Sequence, residues 1–143
     1  MQKIRVIAIC VFRHDDRILV AEGFDSVKGT PFYRPLGGTV EFGEQTNETV
    51  VREIDEELGQ AVTDVRLLGV LESLFVNEGQ RGHEIVFVYD GQFVDSHVYT
   101  QPQLMGIEAN GEPIKAVWRE LDAFDDDNRL VPDGLIGILT DQQ

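Results

Sequence analysis

From Ile4 to Phe12 almost every position is apolar, and most are β-branched or aromatic. A run without alternation predicts a strand covered on both faces. His14-Asp15-Asp16 predicts a turn, and Arg17 to Phe24 a returning strand, so the two form a hairpin. Ser26 to Pro31 reads as a loop punctuated by Gly29 and Pro31, and Phe32 to Leu36 as a short strand. Further on, Val65 to Val76 predicts a long strand interrupted at Gly69, where a bulge is expected. Asn77 to Gly82 is a polar loop, and Glu84 to Phe93 alternates as the next strand. Ile85, Phe87 and Tyr89 share one of its faces, and Glu84, Val86, Val88 and Asp90 the other. Asp95 to Pro113 reads as irregular, nineteen residues with two prolines and two glycines. Loops of that length in compact proteins are usually functional or mobile, so this one either borders a substrate pocket, with His97, Tyr99, Gln101 and Gln103 to offer, or merely spans two strands. Ile114 to Arg119 resumes as a strand, Asp122 to Asp127 is an acidic turn, and Pro132 opens a last helix through Leu139, with Asp133 near its positive end.

Between the third strand and the fourth the period changes from two to 3.6. Val50, Val51, Ile54 and Leu58 fall within one helical arc roughly 100° wide. Glu53, Glu56 and Glu57 fall within a second arc about 120° away from the first. Thr46 is the expected N-cap, and Gly59 stands where helices end in the left-handed conformation. In front lies a glycine-rich loop with Gly37, Gly38 and Gly43, where backbone can approach a ligand closely. The helix thus packs one stripe on a core and holds three carboxylates at the core's edge. Like charges so close repel, and a hard divalent cation with oxygen ligands relieves that repulsion. With strands flanking one helix in the middle and another at the end, the pattern predicts a mixed sheet covered by helices on both faces.

Composition narrows the partners. The chain has 143 residues, the size of one domain with one adequate core, and residues 1–143 are read as a single domain. Twelve basic and twenty-six acidic residues give a formal net charge of −14, which opposes general binding to nucleic acid polymers or anionic membranes. Phosphorylated ligands must then be recruited through bound cations and locally placed basic groups. Cys10 stands alone, so no internal disulfide can form, and a reducing, cytoplasmic setting is expected. The amino-terminal apolar run is too short for a membrane span.

The spacing around the helix carries a resemblance. Gly38 is followed by five residues and Glu44, then by seven residues and Arg52-Glu53-Ile54-Asp55-Glu56-Glu57-Leu58-Gly59. This resembles the Nudix box of the Nudix hydrolases, and every fixed polar and glycine position is matched. Gln60 departs from it, standing where the family has a bulky apolar residue, and Leu36 stands where many members carry proline. The resemblance implies the Nudix α/β/α sandwich, an α/β (α+β) fold with a curved mixed sheet between helical layers. It also implies an enzyme that splits a pyrophosphate bond in a small nucleoside diphosphate-linked substrate by attack of water on phosphorus, with Mg²⁺ as cofactor and Mn²⁺ as the alternative. By position, Glu53, Glu56 and Glu57 match the metal ligands, with Glu53 also discussed as the base. Glu44 matches the loop glutamate, Gly38 contributes a carbonyl, and Arg52 matches the arginine that orients the glutamates. Outside the box, Arg34 is a candidate for a substrate phosphate, and Glu84, after His83, for a base or outer metal ligand. Phe75 to Glu78 include neither the proline associated with ADP-ribose hydrolysis nor the tyrosine associated with diadenosine polyphosphates, so the substrate stays open. A homodimer is equally open. The competing reading is a catalytically silent, Nudix-like nucleotide-binding regulator, which normally shows decay of the ligand glutamates.

Overall fold

The structure is a computed structural model, and it describes residues 2–141. Strand β1 (Arg5–Val11) runs through the middle of the molecule. It pairs in parallel with β7 (Gln80–Phe93) and antiparallel with β5 (Leu36–Thr39). With β6 (Val62–Asn77) on the outer edge, these form a four-stranded mixed sheet in the order β5-β1-β7-β6. A second sheet follows the order β10-β4-β3-β9-β8, with β2 (Arg13–His14) paired to β3 (Arg17–Asp25). Its other members are β4 (Thr30–Arg34), β8 (Gln103–Ile107), β9 (Pro113–Glu120) and β10 (Arg129–Leu130). Helix α1 (Thr46–Leu58) covers one face and α2 (Leu135–Asp141) the other.

The uninterrupted apolar run of β1 follows from this layering. Ala8, Cys10 and Phe12 face a core shared with Val50 and Ile54 of α1, while Ile9 and Val11 face a second core shared with Leu135 and Leu139 of α2. The same division splits β3, with Leu19 and Ala21 on the α1 side and Ile18 and Val20 on the other. In β7, Phe87 and Tyr89 lie on the α1 side and Val86 and Val88 on the α2 side, as the alternation predicts. The α/β/α sandwich expected of the sequence is therefore the observed fold.

Local connections differ from the sequence reading in informative ways. The single curved sheet is divided in two by hydrogen bonding, because the chain changes sheet three times, the last between β7 and β8. At Phe12 it leaves β1 for β2, so the expected hairpin with Arg17 to Phe24 is confined to β2 and the Leu19 N–H to Phe12 carbonyl bond. At Pro35, which has no N–H to give a ladder, the predicted strand Phe32 to Leu36 breaks into β4 and β5. The polar Asn77 to Gly82 loop is tighter than expected. Glu78 and Gly79 alone turn the chain, with φ of 54° and 74°, and the strands run to Asn77 and from Gln80. A register shift falls between Leu67 and Gly69, where the bulge is predicted, and another between Thr63 and Arg66.

The largest correction is in Asp95 to Pro113. That segment is not irregular: a 3₁₀ turn (Ser96–Thr100) leads into β8, which forms a hairpin with β9 closed by residues 108–112. Gln103-Leu104-Met105-Gly106-Ile107 gives little strand signal alone, and its pairing with β9 supplies what propensity lacks. The last helix begins at Leu135 rather than at Pro132, and Asp133 before it is paired with Arg129 at 2.6 Å. Among the described residues no helix is long and apolar enough to cross a membrane.

Candidate active site

Helix α1 and the loop before it build the acidic site. The N-cap is Gln45 rather than Thr46, and its N–H donates to the Glu48 carboxylate at 2.9 Å, satisfying a free donor at the helix start. Thr46 lies inside the first turn and shares a 2.5 Å hydrogen bond with the Tyr89 hydroxyl, tying α1 to β7. At the far end Gly59 adopts φ 67° and donates to the Asp55 carbonyl at 2.8 Å, the left-handed stop expected from the sequence. Thr49, Val50 and Ile54 are fully buried beneath the helix, which fixes the direction of its carboxylates.

Arg52 organises three of them. Its Nε and one terminal nitrogen grip both oxygens of Glu44, at 2.7 and 3.0 Å. Its other terminal nitrogen reaches Glu53 at 2.9 Å and Glu56 at 3.3 Å, and the guanidinium also donates to the Thr39 carbonyl. The bidentate pairing with Arg52, helped by the Thr49 hydroxyl at 2.6 Å, holds the Glu44 carboxyl down to about 2. The same partners drive the Arg52 guanidinium up, so it stays charged at any ordinary pH.

Glu53 and Glu57 are in a different condition. Glu53 lies against the glycine loop: a Cβ on Gly38 would sit 2.3 Å from the Glu53 carboxyl carbon, so only glycine leaves room there. Burial pushes the Glu53 carboxyl up, although Arg52 opposes it. Burial, with the charge of Glu53 added, pushes Glu57 up to about 8. The Oε1 atom of Glu57 is buried and has no hydrogen-bond partner. Strand β8 packs closely on the backbone at the end of α1: a Cβ on Gly106 would lie 2.2 Å from the Glu57 carbonyl oxygen.

Among the described residues no three acidic, histidine or cysteine side chains are grouped so as to hold a metal ion, and Arg52 engages Glu44, Glu53 and Glu56. The donor set nevertheless fits a hard divalent cation. It is all oxygen, it includes an orphaned buried carboxylate oxygen, and two of its carboxyls are held in a desolvated state that a positive charge would relieve.

The two candidates outside the box separate. Arg34, on β4, lies near enough for its charge to act on Glu57 and is paired with Glu108 at 3.3 Å. Glu84 lies on the face of β7 opposite to Phe87 and Tyr89, which pack beneath α1, and there it pairs with Arg5 at 3.5 Å. His83 bonds Glu72 instead. Of the polar groups offered by the Asp95 to Pro113 segment, Tyr99 packs between Phe93 and Trp118 and accepts from the Phe93 N–H, while His97 bonds Asp95. The charged group of that segment that acts on the site is Glu108, whose charge bears on Glu57 and which no local sequence pattern distinguishes.

A mixed-sheet sandwich that carries a glycine loop and an arginine-clamped acidic helix defines a phosphate-chemistry hydrolase class. The model of the NUDIX domain matches residues 1–135, and the chain belongs to the Nudix hydrolase family. It is 33% identical over 101 residues to the mutator protein MutT4 of Mycobacterium tuberculosis, a match covering 69% of this chain and 40% of that one. The chain thus spans well under half the length of that relative. Among solved structures, it is similar to a MutT NUDIX hydrolase from Burkholderia pseudomallei, with a TM-score of 0.66, 24% identity, and 96% and 98% of the two chains covered. A NUDIX hydrolase from Nitrosomonas europaea follows it at a TM-score of 0.65 and 19% identity, covering 97% and 88%. The family is one of pyrophosphate-hydrolysing enzymes that generally use divalent metals and small nucleotide-derived substrates.

Proposed function

We propose that residues 1–143 form one cytoplasmic Nudix domain that hydrolyses the pyrophosphate link of a small nucleoside diphosphate derivative with Mg²⁺, or alternatively Mn²⁺. The observation that carries this reading is the buried Glu57 Oε1 without a partner, beside a Glu53 pressed into the glycine loop. Glu53 and Glu57 would hold the ion from successive turns of α1, with Glu56, Glu44 and the Gly38 carbonyl completing or supporting the set. Bound there, the ion supplies positive charge to the diphosphate and acidity to a water. Arg52 keeps Glu44 ionised and aims Glu53, and Arg34 offers its guanidinium to a phosphate once it leaves Glu108. Glu53, short of full solvation, is suited to accept the proton of the attacking water. No ligand position of the box is lost, so nothing favours a silent binder.

The test is a panel of nucleoside triphosphates, sugar nucleotides, dinucleotides and ADP-ribose, read by release of phosphate monoester with and without Mg²⁺. Turnover of at least one class, dependent on the ion, is expected. No turnover of any class by folded protein would remove the reading.

A further inference from the structure

A cavity of about 200 Å³ opens between β3, β4 and the β8–β9 hairpin. Phe32 and Ile114 form apolar walls, and Arg34, Glu108 and Asn77 bring polar groups to it from β4, the β8–β9 turn and the tip of β6. Arg34 and Glu108 are paired with each other, and both lie close enough to Glu57 for their charges to bear on its carboxyl. The pair therefore joins the cavity to the carboxylate site. Pockets for drug-sized ligands run from roughly 300 to 1,000 Å³. This one is smaller, with room for a single ring system while the rest of the substrate lies toward α1.

The turn that carries Glu108 is closed on itself. The Glu108 N–H donates to the Glu112 carbonyl at 2.8 Å, and its own carbonyl accepts from Gly111 at 2.9 Å. The carboxylate is thus presented by an ordered turn, and about a third of the side chain is exposed. An ionised carboxylate accepts hydrogen bonds and cannot donate them. Cytosine and adenine offer an exocyclic N–H donor, whereas uracil and hypoxanthine place a carbonyl oxygen at the same point of a ring of the same shape. Such an oxygen would face the carboxylate lone pair to lone pair.

Resting on the hydrolase reading above, we propose that this cavity takes the base of the substrate and that Glu108 selects rings bearing an exocyclic amino group. Glu108 becomes available as Arg34 turns from it to the diphosphate. The selection is then coupled to correct seating of the phosphates.

The experiment compares isosteric pairs, so that ring size cancels. kcat/KM is measured for cytidine against uridine triphosphate and for adenosine against inosine triphosphate, with Mg²⁺, for the parent and Glu108→Gln. The parent is expected to favour the amino member of each pair by at least about tenfold, since the site's acceptor is otherwise unpaired. In Glu108→Gln the ratio should fall to about threefold or less, because an amide can turn either its oxygen or its NH₂ to the ring. Calorimetric binding of cytidine and uridine monophosphate to both proteins runs alongside, with the unfolding midpoint of Glu108→Gln as a check on its fold. An amino preference in binding that Glu108→Gln loses, without turnover of any substrate, would keep the cavity assignment and remove the hydrolase reading. Turnover of all four substrates without preference in the parent, or a preference that Glu108→Gln leaves intact, would overturn the assignment and leave the hydrolase reading standing.

Discussion

Asp25 and Glu57 are two carboxylates withdrawn from water, and they titrate in opposite directions. Asp25 closes β3 and is 3% exposed. One of its oxygens accepts from the Val27 and Lys28 N–H groups, both at 3.0 Å, and the other from the Glu78 N–H at 3.2 Å, fifty-three positions away. Those donors, Lys28 first, hold its carboxyl below the usual carboxylate range. Glu57 has an oxygen with no donor at all and a second carboxylate for a neighbour, and its carboxyl rises to about 8. Burial is common to both, so burial is not what separates them. A buried charge supplied with N–H groups is a clasp that ties two hairpin turns together. A buried carboxyl that keeps one backbone donor, Gly37, and leaves its other oxygen unpartnered awaits a partner from outside the chain.

The sharpest way to break this contrast is to remove the outside partner. Exhaustive chelation should abolish hydrolysis while the far-UV spectrum stays native, because Asp25 and both cores depend on no ion. Full turnover in protein shown by elemental analysis to be metal-free would falsify the assignment of Glu57 to an ion.

Next in size is Glu57→Gln, which keeps the shape and removes the charge. Turnover should fall by at least about a hundredfold, the scale of losing a principal electrostatic group. The unfolding midpoint of the chelated protein should hold or rise, because folding no longer has to bring a proton, or a charge beside Glu53, to that buried position. Wild-type turnover in this variant would count against the role.

Asp25→Asn should behave in the reverse manner. Replacing the carboxylate weakens three charge-assisted bonds, so the midpoint should fall by about 5 °C or more, while kcat/KM per folded molecule stays within about threefold. Thermal melts and assays on the same preparation decide it. A catalytic loss as large as that of Glu57→Gln would erase the distinction between the two sites.

The smallest effect is in the pH dependence of stability, and its sign differs between the sites. Folded, metal-free Glu57 keeps its proton up to about 8, whereas the unfolded chain releases it near 4.5, so the folded state binds more protons between those values. Stability from this group is full below the lower value and is lost as pH rises through the upper one. Asp25 is depressed, so its contribution is present above 3.8 and lost as pH falls further. Chelated protein should therefore melt a few degrees lower at pH 8 than at pH 6, and Glu57→Gln should flatten that slope. An identical slope in the parent and the variant would show that other groups produce it.

The sequence by itself determined the layers and the acidic helix. An unbroken apolar run in β1 requires cover on both sides, the 3.6 period of α1 separates a core stripe from a carboxylate stripe, and Gly59 ends the helix by a local backbone rule. These are short-range facts, written within a few turns of chain. Tertiary structure decided whatever depends on distant segments meeting. Gln103–Ile107 is a strand because β9 lies beside it, and Pro35 is a change of sheet because β3 and β1 claim the residues on either side. Glu53, Glu56 and Glu57 look alike along the chain. Gly38 presses on the first, the last has a buried oxygen without a partner, and Glu56 is left exposed on Arg52. Glu84, plausible from its place at a strand start, is turned to the far face by the pleat, while Glu108, with no local signal, is carried by a hairpin to Arg34. Periodicity fixes the direction of a side chain relative to its own element. Its solvation and its neighbours are set by how the elements pack.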